Sequence, residues 1–406
     1  MLNFIKKKAN ALYSWYKQGI FWRQVKIKLF RDYGGFKLYF PIAKVQKIQN
    51  NKIVCVSYHG VYHSGNPAFI VDELMTQRPD LEVVWLIDKK NMQDVNANRK
   101  IRLVDIYSYK AMYELASAKI WIDNSRKSVY VPKKENQFYL QTWHGGIALK
   151  TVEADAAKYL GKNYLDIAKN DAKNTDLMIS NCKFCTDMYR RAFWYDGEII
   201  EEGLPRNDFL VNHPDFDGVK LKEKLGIPAN NVVLFYAPTF RGDKTKNPYI
   251  QDFTDLIKCL EEKANNPVTV LIKHHPNIRT MASGFHYIGN VIDVTDYPDI
   301  QHLYLISDYM ITDYSSTMFE YGMLNKPVFL YVPDWKEYKE NDREFYFSFE
   351  ELPYMTAYSM EQLLHNIKNY DESNYLFSLG LFYNKVGLNE SGHATQIIAK
   401  YLLQYI

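Results

Sequence analysis

The chain lacks the glycine-loop signatures of the commonest nucleotide-binding folds. Its 406 residues contain neither a GxGxxG nor a Walker-type loop, which argues against a bound dinucleotide and against P-loop chemistry. Cysteine is scarce. Four residues, Cys55, Cys182, Cys185 and Cys259, exclude a disulfide framework in a chain of this length and point to a reducing compartment. Cys182-Lys183-Phe184-Cys185 is a CxxC without a second pair, so packing explains it better than zinc or redox chemistry. No apolar run is long enough to cross a bilayer, and the N-terminus lacks a smooth apolar core followed by a small-residue cleavage site. Low-complexity tracts and short-period repeats are absent as well.

Acidic residues are nearly missing from one stretch. Residues 1–49 carry eleven Lys/Arg against one acidic residue, net +10, which leaves the rest of the chain at −7 for an overall +3. There Lys6, Lys7, Lys8, Lys17, Arg23, Lys26, Lys28 and Arg31 alternate with Phe4, Ile5, Leu12, Trp15, Tyr16, Ile20, Phe21, Trp22 and Phe30. Aromatic rings at headgroup depth and ammonium groups beside lipid phosphates are what a helix lying on an anionic bilayer requires. The expected location is therefore the cytoplasmic face of the cell membrane, held peripherally. A helical arm packed on the body, or a nucleic-acid arm, would share the charge. The number of aromatics speaks against a simple phosphate-binding tail.

With 47% hydrophobic residues the chain has material for two cores. Beyond Gly34-Gly35 and Pro41 the pattern alternates between strands and helices. Strands are expected at Ile53–Tyr58, Val83–Ile87, Ile101–Val104, Ile120–Asn124 and Gln137–Thr142, with helices such as Asn66–Arg78 and Tyr109–Ser117 between them. A second series runs through Val232–Ala237, Val268–Lys273, Val291–Asp293, Tyr309–Thr312 and Pro327–Tyr331, with helices at Asp252–Ala264 and Ile300–Ser307. This is an α/β chain in two parallel-sheet halves. The charged stretch Asp215–Gly226, between Pro214 and Pro228, marks the boundary, giving an arm at 1–49 and domains at 50–214 and 215–406.

Ligands of open α/β sheets gather at the carboxyl ends of the strands. There the sequence places Trp143-His144-Gly145-Gly146, Ala237-Pro238-Thr239-Phe240-Arg241, Lys273-His274-His275-Pro276 and Asp313-Tyr314-Ser315-Ser316. The segment ITDYSSTMFEYG, Ile311 to Gly322, joins a buried strand to a helix whose first turn is lined with hydroxyls. Unpaired N–H groups and partial positive charge at such a turn suit a phosphate, although structural capping accounts for the same residues. Imidazole, guanidinium, ammonium and hydroxyl groups thus converge. They fit an acceptor activated by a base and a diphosphate leaving group neutralised by cations.

An ordered set of motifs resembles the CDP-glycerol glycerophosphotransferase family of bacterial teichoic-acid and related polymer synthesis. The set comprises Gly60 with Tyr62, Asn66 and Pro67; QTWHG at Gln141–Gly145; Gly203-Leu204-Pro205-Arg206-Asn207-Asp208; APTFR at Ala237–Arg241; Lys273 with His275-Pro276; TDYSS before Leu324-Asn325-Lys326-Pro327; and Tyr338 to Pro353. The resemblance covers about residues 53–385. It implies a GT-B-like architecture, two Rossmann-type domains facing a cleft. It also implies transfer of glycerol phosphate or ribitol phosphate from CDP-glycerol or CDP-ribitol to a hydroxyl of a lipid-linked saccharide or polyol-phosphate acceptor, with release of CMP and no cofactor.

The same resemblance makes His144 the general base and His275 the second catalytic group. Thr239, Arg241, Lys273, Asp313, Ser315, Ser316, Thr317 and Glu320 fall on the donor side. Gly60, Asn66, Gly145, Gly146, Arg206 and Asp208 fall on the acceptor side or in the cleft, with Arg206 and Asp208 also candidates for an inter-domain ion pair. No carboxylate cluster with metal-ligand spacing stands out. Family members commonly follow the histidine with Gly, Thr, Pro, one more residue and Lys. Here Gly145-Gly146-Ile147-Ala148-Leu149-Lys150 follows, without Thr or Pro and with Lys one position later. A GT-B glycosyltransferase using a nucleotide sugar, and a non-catalytic membrane adaptor, remain as alternatives.

Overall fold

A computed structural model describes residue 25 and residues 35–95, 100–127, 131–212, 216–241, 248–274, 286–341 and 343–406. The basic arm before residue 35 and His275-Pro276 therefore lie outside the described residues. Two parallel sheets organise the rest. The first contains β1 (Gln49–Val56), β2 (Glu82–Ile87), β3 (Ile101–Asp105), β4 (Ala118–Asp123), β5 (Phe138–Gln141), β6 (Leu177–Ser180) and β7 (Glu198–Glu201), in the order β3-β2-β1-β4-β5-β6-β7. The second contains β8 (Val232–Ala237), β9 (Val268–Ile272), β10 (Val291–Asp293), β11 (Tyr309–Thr312), β12 (Val328–Tyr331) and β13 (Met355–Ala357), in the order β10-β9-β8-β11-β12-β13.

Central strands such as β1 and β8 are apolar without alternation because helices cover both faces of a parallel sheet. On the first sheet Ala111, Met112 and Leu115 pack one face together with Tyr39, and Ile70, Val71 and Leu74 pack the other. Ala394, Ile398 and Leu402 of the helix Ala394–Leu402 join that second layer, so the chain returns to the first sheet at its end. The second sheet is covered by Leu256, Leu260, Leu363 and Ile367 on one side and by Leu303, Met318 and Tyr321 on the other. Side chains buried this completely contribute about 1.5–3 kcal/mol each.

Local signals set the helix ends. Ser108 accepts a hydrogen bond from the Ala111 amide at the start of Tyr109–Ser117, and Pro67 occupies the first turn of Asn66–Gln77. The charged stretch around residue 215 contains a short helix, Gly218–Leu225, capped by Asp217 and stopped by left-handed Gly226. In each sheet the strand order reverses once, between β1 and β4 and between β8 and β11. Those switch points are where such sheets open a crevice for ligands.

Candidate active site

Both switch points deliver side chains to the same region. After β1 the chain turns sharply through Tyr58 and His59, both at positive φ, into Gly60. After β4 come Asn124, Ser125 and Arg126. The Asn124 side chain accepts from the Tyr58 amide at 2.7 Å, and the Ser125 hydroxyl accepts from the His59 amide at 3.0 Å, so the two loops hold each other. Gly60, at φ +78°, accepts from the Asp88 amide at 2.7 Å and anchors this turn.

His144 follows β5 and projects beside these loops. Its Nδ1 lies 2.9 Å from the Asn124 carbonyl. A carbonyl has no proton to give, so Nδ1 must carry one, and the neutral ring keeps its lone pair on Nε2. The residue is exposed to solvent. Desolvation by the protein around the ring, with the charges of Arg206, His59 and Arg126, pushes its pKa down from 6.5 to about 4 against the pull of the Asn124 hydrogen bond. It is a neutral acceptor across the physiological range. Trp143, at φ 53°, packs its ring 4.2 Å from the imidazole. Gly146 lies so close to Asn181 that a Cβ there would stand 2.6 Å from its side-chain nitrogen, whereas Gly145 has open space.

Arg206 links the two halves. Its guanidinium donates to Glu320, in the helix that follows β11, and to the Tyr58 hydroxyl at 3.2 Å. Its amide donates to the Asn66 side chain at 3.2 Å. The inter-domain pair thus forms between Arg206 and Glu320. Asp208 turns away and accepts from the amides of Ala394 and Thr395 at 3.1 and 2.6 Å, which makes it the cap of the last long helix rather than a cleft residue.

At the second switch point the expected donor residues divide. Ser315, Ser316 and Thr317 stand at the start of the helix Thr317–Gly322. Ser316 is exposed and makes no capping bond, and the Thr317 hydroxyl reaches Ser315 Oγ at 2.9 Å. Asp313 and Arg241 form a scaffold behind them. Asp313 accepts from the amides of Thr239 and Tyr314 at 2.8 and 2.6 Å and pairs with Arg241 at 2.9 Å. Arg241 also donates to Asp334 at 2.7 and 3.1 Å and to the Thr239 carbonyl at 2.7 Å, with its guanidinium 4.7 Å from the Tyr314 ring and 4.9 Å from the Tyr338 ring. Lys273 donates to the carbonyls of Val294, Thr295 and Tyr297, and burial lowers its pKa to about 8. These two cations hold loops. The Thr239 hydroxyl is buried and has no partner among the described residues.

The altered loop after His144 has a structural task. Lys150 bridges to Phe345, and its ammonium donates to the Tyr338 hydroxyl. The Thr151 amide donates to Glu344 O, and the Tyr346 amide to Leu149 O, both at 2.8 Å. The loop carrying the imidazole is thereby tied to the second half. Sequence reasoning did not single out Asn124, Asp334 or Glu390. Asn124 stands at a switch-point strand end and was findable on that ground. Asp334 and Glu390 gain their roles only from distant partners. The CxxC cysteines are buried, with Cys182 Sγ accepting from the Cys185 amide at 3.3 Å.

Two doubly covered parallel sheets meeting at their switch points define a GT-B-like transferase fold. A family model for CDP-glycerol:poly(glycerophosphate) glycerophosphotransferase matches residues 38–404, and the chain belongs to that family. A teichoic acid poly(glycerol phosphate) polymerase of Bacillus spizizenii is 31% identical over 381 residues, covering 91% of this chain and 96% of the relative. A teichoic acid glycerol-phosphate transferase of Staphylococcus aureus is 32% identical over 377 residues, covering 89% and 96%. The chain spans about half the length of the polymerases of Bacillus subtilis and Staphylococcus epidermidis, 50% and 52%. Among solved structures, the wall teichoic acid polymerase TagF superposes with a TM-score of 0.80 at 29% identity over 94% of this chain and 96% of that one. Another TagF structure is of a histidine-to-asparagine variant soaked with CDPG.

Proposed function

We propose that this chain transfers a polyol phosphate, glycerol phosphate or ribitol phosphate, from a CDP-activated donor to a hydroxyl of a lipid-linked acceptor in teichoic acid synthesis. The observation that carries the reading is the tautomer of His144. An imidazole with Nδ1 bound to a carbonyl and Nε2 without a partner among the described residues, beside a switch point, is built to accept a proton. The acceptor oxygen attacks the phosphorus next to the polyol as Nε2 takes its proton. The bond from that phosphorus to the CMP oxygen breaks, and CMP leaves with the electron pair. Ser315, Ser316 and Thr317 donate hydrogen bonds to the diphosphate, so Ser315→Ala with Ser316→Ala should raise KM for the donor about tenfold with a smaller change in kcat. His275, outside the described residues, is the second group proposed to assist the departing nucleotide. Incubation with CDP-glycerol, CDP-ribitol and nucleotide sugars in separate reactions tests the assignment. CMP from a CDP-polyol supports it, and a nucleoside diphosphate released from a nucleotide sugar alone would replace it with glycosyl transfer.

The partner surface is proposed to be the anionic bilayer, contacted through residues 1–49. Among the described residues no helix is long and apolar enough to cross a membrane. Lys44, Lys47, Lys119, Lys133 and Lys134 line one recess at the end of the first sheet where β1, β4 and β5 begin, opposite the end that carries His144. Exposed Val45 lies beside it. Basic groups near a membrane surface contribute about 1 kcal/mol each, so Lys44→Gln with Lys47→Gln should weaken binding to phosphatidylglycerol vesicles about thirtyfold. Equal sedimentation of both proteins with anionic vesicles would remove this face from the contact.

A further inference from the structure

After the helix Glu372–Val386 the chain recrosses to the first sheet. The Lys183 amide donates to Gly387 O at 3.1 Å, the Asn389 amide to Asn181 O at 2.8 Å, and the Asn389 side chain to Glu201 O at 2.7 Å. Glu390 follows, and its carboxylate collects three donors. Oε1 accepts from Asn181 Nδ2 at 2.8 Å and from Asn207 Nδ2 at 2.6 Å, and Oε2 accepts from the Leu204 amide at 3.0 Å. The side-chain oxygens of Asn181 and Asn207 are buried with no partner among the described residues, so the carboxylate is what orients both amides. Gly203, at φ +106°, lets the turn close. A Cβ there would stand 2.6 Å from Glu390 Oε2.

Each of these contacts backs one of the loops of the proposed acceptor side. Asn181 packs beneath Gly146, two residues after His144. Asn207 and Leu204 flank Arg206, which reaches Tyr58 and Glu320. We propose that Glu390 is a positioning residue for the transfer reaction, its ionised carboxylate holding the His144 loop and the Arg206 turn in register from behind. The inference rests on the polyol-phosphate transfer reading. Burial, with the like charge of Glu320, pushes the pKa of Glu390 up to about 7, against the pull of Asn207, Leu204 and Asn181. Tyr383 and Cys185 also face it, and burial raises both, so they stay neutral. A proton on Glu390 sets an O–H either against the Leu204 N–H or against the two amide donors of Asn181 and Asn207, so one of these contacts faces a donor and the turn loosens.

Glu390→Gln reproduces the protonated state in shape and charge. The test measures CMP release from CDP-glycerol and CDP-ribitol across the neutral pH range, thermal midpoint, and hydrogen exchange at the Leu204 amide, for wild type and variant. Glu390→Gln should keep its midpoint, since it removes a desolvated charge. It should lose about tenfold to a hundredfold in kcat, as expected when reacting groups shift slightly. Its Leu204 amide should exchange faster, and the acid limb near pH 7 of the wild type should vanish. Wild-type kcat and an unchanged acid limb in the variant would overturn the proposal. Should the variant fail to fold, the wild type decides alone: no acid limb near pH 7 and no acceleration of Leu204 exchange through it would overturn the proposal equally. A wild type that releases no CMP sinks the reaction reading instead, while Leu204 exchange still reports on the positioning.

Discussion

Replacing His144 with alanine is expected to lower CMP release by about a hundredfold or more, with donor binding retained, because the change removes the proposed proton acceptor while leaving the hydroxyls proposed to hold the diphosphate in place. Steady-state kinetics with separate donor titrations check it. The pH dependence sharpens the expectation. The folded pKa of the ring lies near 4, below the ordinary 6.5, so the base stays unprotonated as pH falls through 6.5 and is lost only on approach to the lower value. Any acid limb near neutrality must then come from another group. Glu390 meets that condition, and in Glu390→Gln the remaining limb should be the low one set by His144. A variant that keeps full turnover without the imidazole would leave the site without a base.

The second large effect concerns stability rather than chemistry. Arg241 is 9% exposed and sits between Asp313 and Asp334 with aromatic rings against its face. Arg241→Ala leaves two carboxylates without their cation, a change that costs about 3–5 kcal/mol when a buried pair is broken from one side. Urea unfolding followed by fluorescence should show the unfolding free energy falling by that margin, with a lower midpoint at unchanged m. A phosphate contact would behave differently: KM for the donor would rise and the unfolding midpoint would stay. The outcome separates a scaffold arginine from a ligand-binding one, which the APTFR motif by itself does not do.

How far the sequence could be read depended on how local each signal was. The central strands β1, β2, β4, β8, β9 and β11 were legible because burial on both faces makes them continuous apolar runs between turn residues. Three strands escaped: Leu177–Ser180, inside the first sheet, and the edge strands Glu198–Glu201, with a glutamate at each end, and Met355–Ala357. The placement of His144, Ser315 and Ser316 just past strand ends was legible since a strand end fixes where the next residues go. Arg241, Lys273 and Asp208 were named for the right segments, yet their side chains are engaged by Asp334, by the carbonyls after β10 and by the amides of Ala394 and Thr395. Residue type announces a capacity to bind an anion or a donor, and only the packed chain determines which partner takes it. Glu390 marks the limit. It lies 183 residues from Asn207 along the chain, and no local pattern links the two.

Polyol-phosphate transfer couples nucleotide release to growth of the acceptor. Mass spectrometry of a lipid-linked acceptor incubated with the purified protein and a CDP-polyol measures that coupling directly. The acceptor should gain one polyol phosphate for each CMP released, and the gain should disappear in His144→Ala. CMP formed with no added mass on any acceptor, or an added sugar without phosphate, would contradict it.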